Sequence, residues 1–243
     1  MRTEIDKRAA YGSRRYVAGL FGAKLVSDIP ERLCEIGVRP ILDAKRRARL
    51  ECIRDAGVLF IHVPKNAGMS ICTALYGRQM KHATVRYYAK VAPSLLSEVE
   101  SVAVIRDPVE RFLSAFDYAR AGGSGDNLVS APFRSLYTSF RSLDDALDHI
   151  AQAKSPYRVD HIFRPQSWYV LDRSGCVAVN RLIRFDRLGE DDVLLGAGGA
   201  GLPQVNQRKG SATKATPAQE RRIRNLYRRD ASLFEGLSGS GAA

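Results

Sequence analysis

The chain has only four cysteines, Cys34, Cys52, Cys72 and Cys176, and no two of them form a C-x-x-C pair. Such scatter offers neither a zinc site nor a disulfide framework, so a reduced, cytoplasmic setting is expected. No apolar run approaches the roughly 18 to 20 residues that span a bilayer. Val17–Ala23 follows Arg14 and Arg15 as a signal peptide would, but it is short, ends at Lys24 and has Glu4 and Asp6 upstream. No targeting segment is read there. Also missing are zinc-finger spacing, internal repeats and aromatics interleaved with Lys and Arg, so a nucleic-acid partner would rest on charge alone and none is expected.

Acidic residues are the scarcer charge: 26 Asp and Glu stand against 38 Lys and Arg, a formal net charge of +12. That balance implies an anionic partner without choosing among nucleic acid, a membrane surface and a phosphorylated or sulfated small molecule. With 45% hydrophobic residues, 26% charged residues and a length of 243, the composition is that of one large α/β domain, alone or with a terminal appendage.

The stretch from Gly57 to Ser70 organises the chain. Val58 to Val63 has the β-branched and aromatic residues of a buried strand, and Pro64, without an N–H, ends the ladder. A phosphate cradle follows in outline. Lys65 supplies a mobile positive charge, Ala67 and Gly68 admit a ligand close to the backbone, and Ser70 opens a helical segment whose free N–H groups attract an anion. In a Walker-type loop the lysine follows the last glycine, whereas Lys65 precedes Gly68 by three residues. An ordinary ATP or GTP loop is therefore disfavoured.

Ser101–Ile105 reads as a second buried strand, parallel to the first because a helical crossover separates them. At its end Asp107 fits an N-cap, Pro108 the first helical position and Glu110 a capping box, with Val109, Leu113 and Phe116 as the apolar stripe. A helix thus starts at a strand's carboxyl end, where open parallel sheets place ligands.

Ile61–Ser70 resembles the 5′-phosphosulfate loop of the carbohydrate-type, family 2-like branch of the sulfotransferases, whose donor is 3′-phosphoadenosine 5′-phosphosulfate (PAPS). The R-D-P-x-x-R-x-x-S-A-F run from Arg106 to Phe116 resembles the same superfamily's 3′-phosphate element. The resemblance implies a P-loop NTPase-like three-layer α/β sandwich with a central parallel sheet flanked by helices. It implies that Pro64, Lys65, Asn66, Ala67, Gly68, Met69 and Ser70 hold the 5′ side of PAPS, and that Arg106 and Ser114 hold the 3′-phosphate. Many members carry Thr where this chain has Met69, which leaves that contact to Ser70 and the backbone. Arg208 and Lys209 lie where relatives have a nucleotide segment. A histidine between the 5′ loop and the next strand commonly serves as base, which implies His82, against the plain reading of an exposed loop histidine. Asp160–Tyr169 resembles the family's H-F-x-P-Q segment and offers His161, Arg164 and Gln166 to the acceptor, with His161 the second choice of base. No metal is implied.

The resemblance covers roughly 57–235, giving a basic, mostly helical segment 1–56, a sulfotransferase domain 57–235 and a disordered tail 236–243. Helices are expected around Arg8–Val26 and Ile41–Asp55, and Leu20, Phe21 and Leu25 could share a face with weak peripheral membrane contact. Tyr169–Leu171 and Val177–Phe185 read as a hairpin or two adjacent strands, and a capped helix from Thr216 is expected to end near Gly236. Eukaryotic relatives are typically membrane-anchored in the Golgi, so the lack of an anchor implies a soluble, bacterial-type member. The expected reaction is sulfuryl transfer from PAPS to a hydroxyl of a carbohydrate or glycoconjugate. The alternatives are a nucleotide-dependent kinase, disfavoured by the position of Lys65, and a non-catalytic polyanion-binding protein.

Overall fold

A computed structural model of the chain describes residues 18–125, 127–190 and 211–239. Three parallel strands form its centre in the order β1 (Val58–Ile61), β2 (Glu100–Ile105), β5 (Arg181–Arg184). Val58 is in register with Glu100, and Val102 with Arg181. Helices flank this sheet, so the mixed α/β architecture with a central parallel sheet is the expected one. β1 and nearly all of β2 are buried, as their unbroken apolar runs require of a parallel sheet covered on both faces. The outer edge of β1 is capped by one hydroxyl: Tyr76 accepts a 2.8 Å bond from the Phe60 N–H and donates one of 2.8 Å to the Val58 carbonyl. An otherwise open strand edge is thereby satisfied.

The first two helices, α1 (Ile29–Glu35) and α2 (Ala44–Ala56), belong to this body. Leu50 and Ile53 of α2 lie in the same core as β1, so residues 18–56 are an integral part of the fold. Of the helix expected over Arg8–Val26, residues 8–17 lie outside the described residues, and only a turn around 18–20 is helical. The common membrane face is not formed. Leu20 is exposed but Leu25 is buried in a second core that includes Phe112, Phe133 and Tyr137. No helix among the described residues is long and apolar enough to cross a membrane.

After β1 come α3 (Gly68–Tyr76), α4 (Val85–Val91) and the single turn α5 (Leu95–Glu98), which complete the crossover to β2. Next are α6 (Pro108–Arg120), a two-stranded ribbon β3 (Gly123–Ser124) and β4 (Asn127–Leu128), α7 (Ala131–Thr138) and α8 (Leu143–Ala151). The segment expected to begin a hairpin differs. Tyr169 and Val170 close a short helix, α9 (Gln166–Val170), leaving only an isolated bridge from Leu171 to Val177 before β5. The cause is a buried carboxylate: Asp230 accepts from the N–H groups of Gln166 at 2.7 Å and Ser167 at 2.9 Å, capping that helix start from elsewhere in the chain. The last helix breaks at Tyr227 into α10 (Pro217–Leu226) and α11 (Arg228–Gly239). Gly236 does not stop it, and residues 240–243 of the expected tail lie outside the described residues.

Candidate active site

A cleft of about 1700 Å³ opens at the carboxyl ends of β1 and β2. Its floor is the turn between β1 and α3. Lys65 and Ala67 there take φ values of 70° and 58°, a left-handed conformation that costs a non-glycine residue about 1–2 kcal/mol. Ala67 is also the N-cap of α3 and gives it no side-chain cap, and a helix start of this kind suits an anion. Pro64, Lys65, Ala67, Gly68, Met69 and Ser70 all line the cleft. The Lys65 ammonium lies 4.3 Å from the centre of the Tyr118 ring on α6, a cation–π contact that holds it within the cleft.

Asn66 is the exception in this run. It is fully buried and donates to the Val104 carbonyl at 2.6 Å and to Gln166 Oε1 at 2.7 Å, so its side-chain nitrogen ties the turn to β2. Gln166, expected at the acceptor, turns out to be the hub of that tie. Its Oε1 also accepts from the Arg106 N–H at 3.0 Å, and its Nε2 donates to the Arg106 carbonyl at 2.8 Å. Gln166 therefore joins the turn, through the Asn66 side chain, to the end of β2, through the Arg106 backbone, with Asp230 fixing it from behind.

Arg106 and Ser114 line the cleft on the α6 side. The Arg106 guanidinium stacks 4.4 Å from the centre of the Phe185 ring and reaches Glu110 at 3.2 Å, an arrangement that keeps it extended. Asp117, one turn beyond Ser114, accepts from the Ser211 and Thr213 hydroxyls at 2.5 and 2.6 Å, pinning the chain beyond the undescribed residues 191–210 to the cleft wall. Arg208 and Lys209 lie outside the described residues.

The structure brings three histidines together on the other side. The His82 ring is 4.0 Å from that of His62 and stacks 4.5 Å from that of His161. His82 Nδ1 is 3.0 Å from the His62 carbonyl, an acceptor only, so Nδ1 carries the proton and Nε2 presents a lone pair. Desolvation, followed by the neighbouring His62 and His161, holds the His82 pKa well below 6.5, so the ring is neutral. His161 Nδ1 is 2.8 Å from buried Asp160. Burial alone would raise the Asp160 carboxyl, but bonds from His161, Ser130 and Ile162 outweigh it and bring it down to about 2. Arg164, expected at the acceptor, is among the residues lining the cleft, with its guanidinium engaged by Asp28 at 2.6 and 2.9 Å and by the Pro156 carbonyl at 2.9 Å.

Sequence reasoning missed Asp160, Tyr118, Phe185 and Asp117. Asp160 stood next to a histidine already singled out, and that adjacency was the available signal. The other three depend on which helix face meets the cleft.

His62 is buried beneath the turn, with its Nδ1 3.2 Å from the Met80 carbonyl. Desolvation lowers its pKa from 6.5 to about 4. The unfolded chain therefore binds a proton that the native chain refuses between these pH values, and stability is lost as pH falls from 6.5 toward 4, by about 3 kcal/mol for this group. His62→Phe should show a smaller fall in unfolding free energy between pH 7 and pH 4.5 than the wild type in urea titrations. Equal falls in the two proteins would remove His62 as a source of the acid sensitivity.

No curated protein and no solved structure matches the chain. The family description that does match, Sulfotransferase family, spans residues 52–235, from the end of α2 into α11, and takes in the cleft lining apart from Leu25, Ser27 and Asp28. With 184 of its 243 residues so matched, the chain belongs to the sulfotransferase family.

Proposed function

We propose that the protein transfers a sulfuryl group from PAPS to a hydroxyl of a carbohydrate or glycoconjugate. The observation that carries this reading is the pairing, through Gln166, of an anion-binding turn bearing Lys65 with a second cationic element bearing Arg106, both on the wall of the cleft that holds the histidines. The two elements suit a nucleotide with a phosphate at each end. The turn's N–H groups and Ser70 hold the 5′ side, and Arg106 with Ser114 holds the 3′-phosphate by charge-assisted bonds. His82 Nε2 takes the proton from the attacking hydroxyl, while Lys65 stabilises negative charge on the oxygen that leaves with 3′-phosphoadenosine 5′-phosphate (PAP). Asp160, anionic beside His161, offsets the positive charge that forms on the histidine pair.

Calorimetric titration with PAP, with AMP and ATP plus Mg²⁺ as controls, tests the donor assignment. PAP is expected to bind more tightly than AMP, and Arg106→Ala to lose about 1.5–3 kcal/mol of that binding. Equal affinity for PAP and AMP in the wild type would refute the 3′-phosphate site. A kinase would instead favour ATP with Mg²⁺, and a polyanion-binding module would show no nucleotide preference and a steep salt dependence.

A further inference from the structure

His82 and His161 stand far apart in sequence, yet their rings stack. Each lies just before a residue gripped from the same helical turn. Thr84, two residues beyond His82, gives both its N–H, at 2.7 Å, and its hydroxyl, at 2.9 Å, to Glu31. Arg164, three residues beyond His161, makes its two-pronged bond to Asp28. Asp28 is the N-cap residue of α1 and Glu31 lies in its first turn, so the pitch of one helix sets the distance between the two grips. Thr84 is in addition the N-cap of α4, accepting from the Tyr87 N–H at 3.0 Å. Glu31 thereby fixes the end of the loop that carries His82.

Both carboxylates are buried, with Asp28 4% and Glu31 6% exposed. Covering a core does not require this. A buried ion pair can often be replaced by well-packed apolar residues at no loss of stability, so the Asp28–Arg164 pair is not accounted for by stability alone. Burial also raises the pKa of both groups, against the bonds from Arg164 and Thr84. Both residues precede the region matched by the family, 52–235.

We propose that Asp28 and Glu31 are positioning residues: a clamp on α1 that sets the spacing of the two site histidines. The proposal rests on the reading that this pair serves the reaction, and it adds that the segment ahead of the family domain completes the site.

The chain has four histidines, so imidazole resonances of the full-length protein labelled at histidine report on each, with His149 on α8 as an internal reference. Glu31→Gln is expected to shift the His82 resonances and to move its titration midpoint up toward the ordinary 6.5 as the ring gains water. Asp28→Asn is expected to shift those of His161, and neither change should move His149. Asp28→Asn leaves the Arg164 charge buried and can fail to fold, so the double variant Asp28→Leu with Arg164→Met, which removes both charges, accompanies it. His82 unmoved in folded Glu31→Gln overturns the proposal, as does His161 unmoved in whichever Asp28 variant folds. If no Asp28 variant folds, the Glu31 arm alone decides. PAP titration of the same proteins separates the two readings. Absence of PAP binding in the wild type would sink the sulfotransferase assignment, whereas the histidine shifts judge the clamp by themselves.

Discussion

His82→Ala is expected to slow transfer from PAPS by about 10²–10⁴-fold while PAP affinity stays near that of the wild type. The measurement is a single-turnover rate with an acceptor that the wild-type protein sulfates, beside a PAP titration of the variant. The size of the effect follows from the geometry. Nδ1–H is committed to the His62 carbonyl, so the tautomer is fixed and only Nε2 can accept a proton. Because desolvation keeps the ring neutral, the base is in its working form well into mildly acidic solution, and the rate should not fall as pH drops from 7 toward 6. His161→Ala should slow transfer less than His82→Ala, since in the proposed reaction His161 carries compensating charge from Asp160 and leaves proton removal to His82. A larger loss in His161→Ala would exchange the two roles and make the Asp160–His161 pair the base.

The parts of this site that the sequence discloses are local ones. β1, its closing Pro64 and the start of α6 at Asp107 and Pro108 follow from propensity and capping within a few residues. Asp107 accepts from the N–H groups of Val109 and Glu110 as its position implies. What the sequence conceals is long-range. The partner of Asp28 is 136 residues away and that of Glu31 is 53 residues away, and neither acid stands in a pattern that marks it as buried. α9 illustrates the same limit. Tyr169-Val170-Leu171 has strand propensity, but Asp230, more than 60 residues later, satisfies the N–H groups at 166 and 167 and so starts a helix. For Gln166 and Arg164 the sequence shows type and position but not that Gln166 holds Asn66 and the Arg106 backbone or that Arg164 holds Asp28, because an amide or guanidinium that faces a ligand and one that faces a neighbouring group are the same residue in a sequence. Arg221 and Arg228 are exposed, whereas Arg222 pairs with Asp148 and Arg224 with Asp107, contacts that the packing of α10 supplies.

Gly68→Ala is expected to destabilise the protein by about 3 kcal/mol and to weaken PAP binding, although two local arguments point the other way. Gly68 is the first residue of α3 and its φ lies outside the positive range, so alanine suits the backbone and should favour the helix by up to about 1 kcal/mol. In the sequence the residue reads as room for a phosphate. The structure fills that room with a side chain: a Cβ at 68 would lie 1.9 Å from His62 Cδ2 and 2.2 Å from Nε2, well inside van der Waals contact. The His62 ring cannot turn aside cheaply. It is buried, its Nδ1 faces the Met80 carbonyl at 3.2 Å, and its far side meets the His82 ring at 4.0 Å. The added methyl must therefore either lift the phosphate turn or push His62 into His82, and each outcome damages the site. Urea unfolding of wild type, Gly68→Ala, His62→Ala and the double variant measures the conflict. Removing the ring should relieve the clash, so the double variant should be more stable than the sum of the single losses implies. A Gly68→Ala protein with wild-type stability would mean that the turn and the histidine yield to each other, and the fixed geometry claimed for His82 would fail with it.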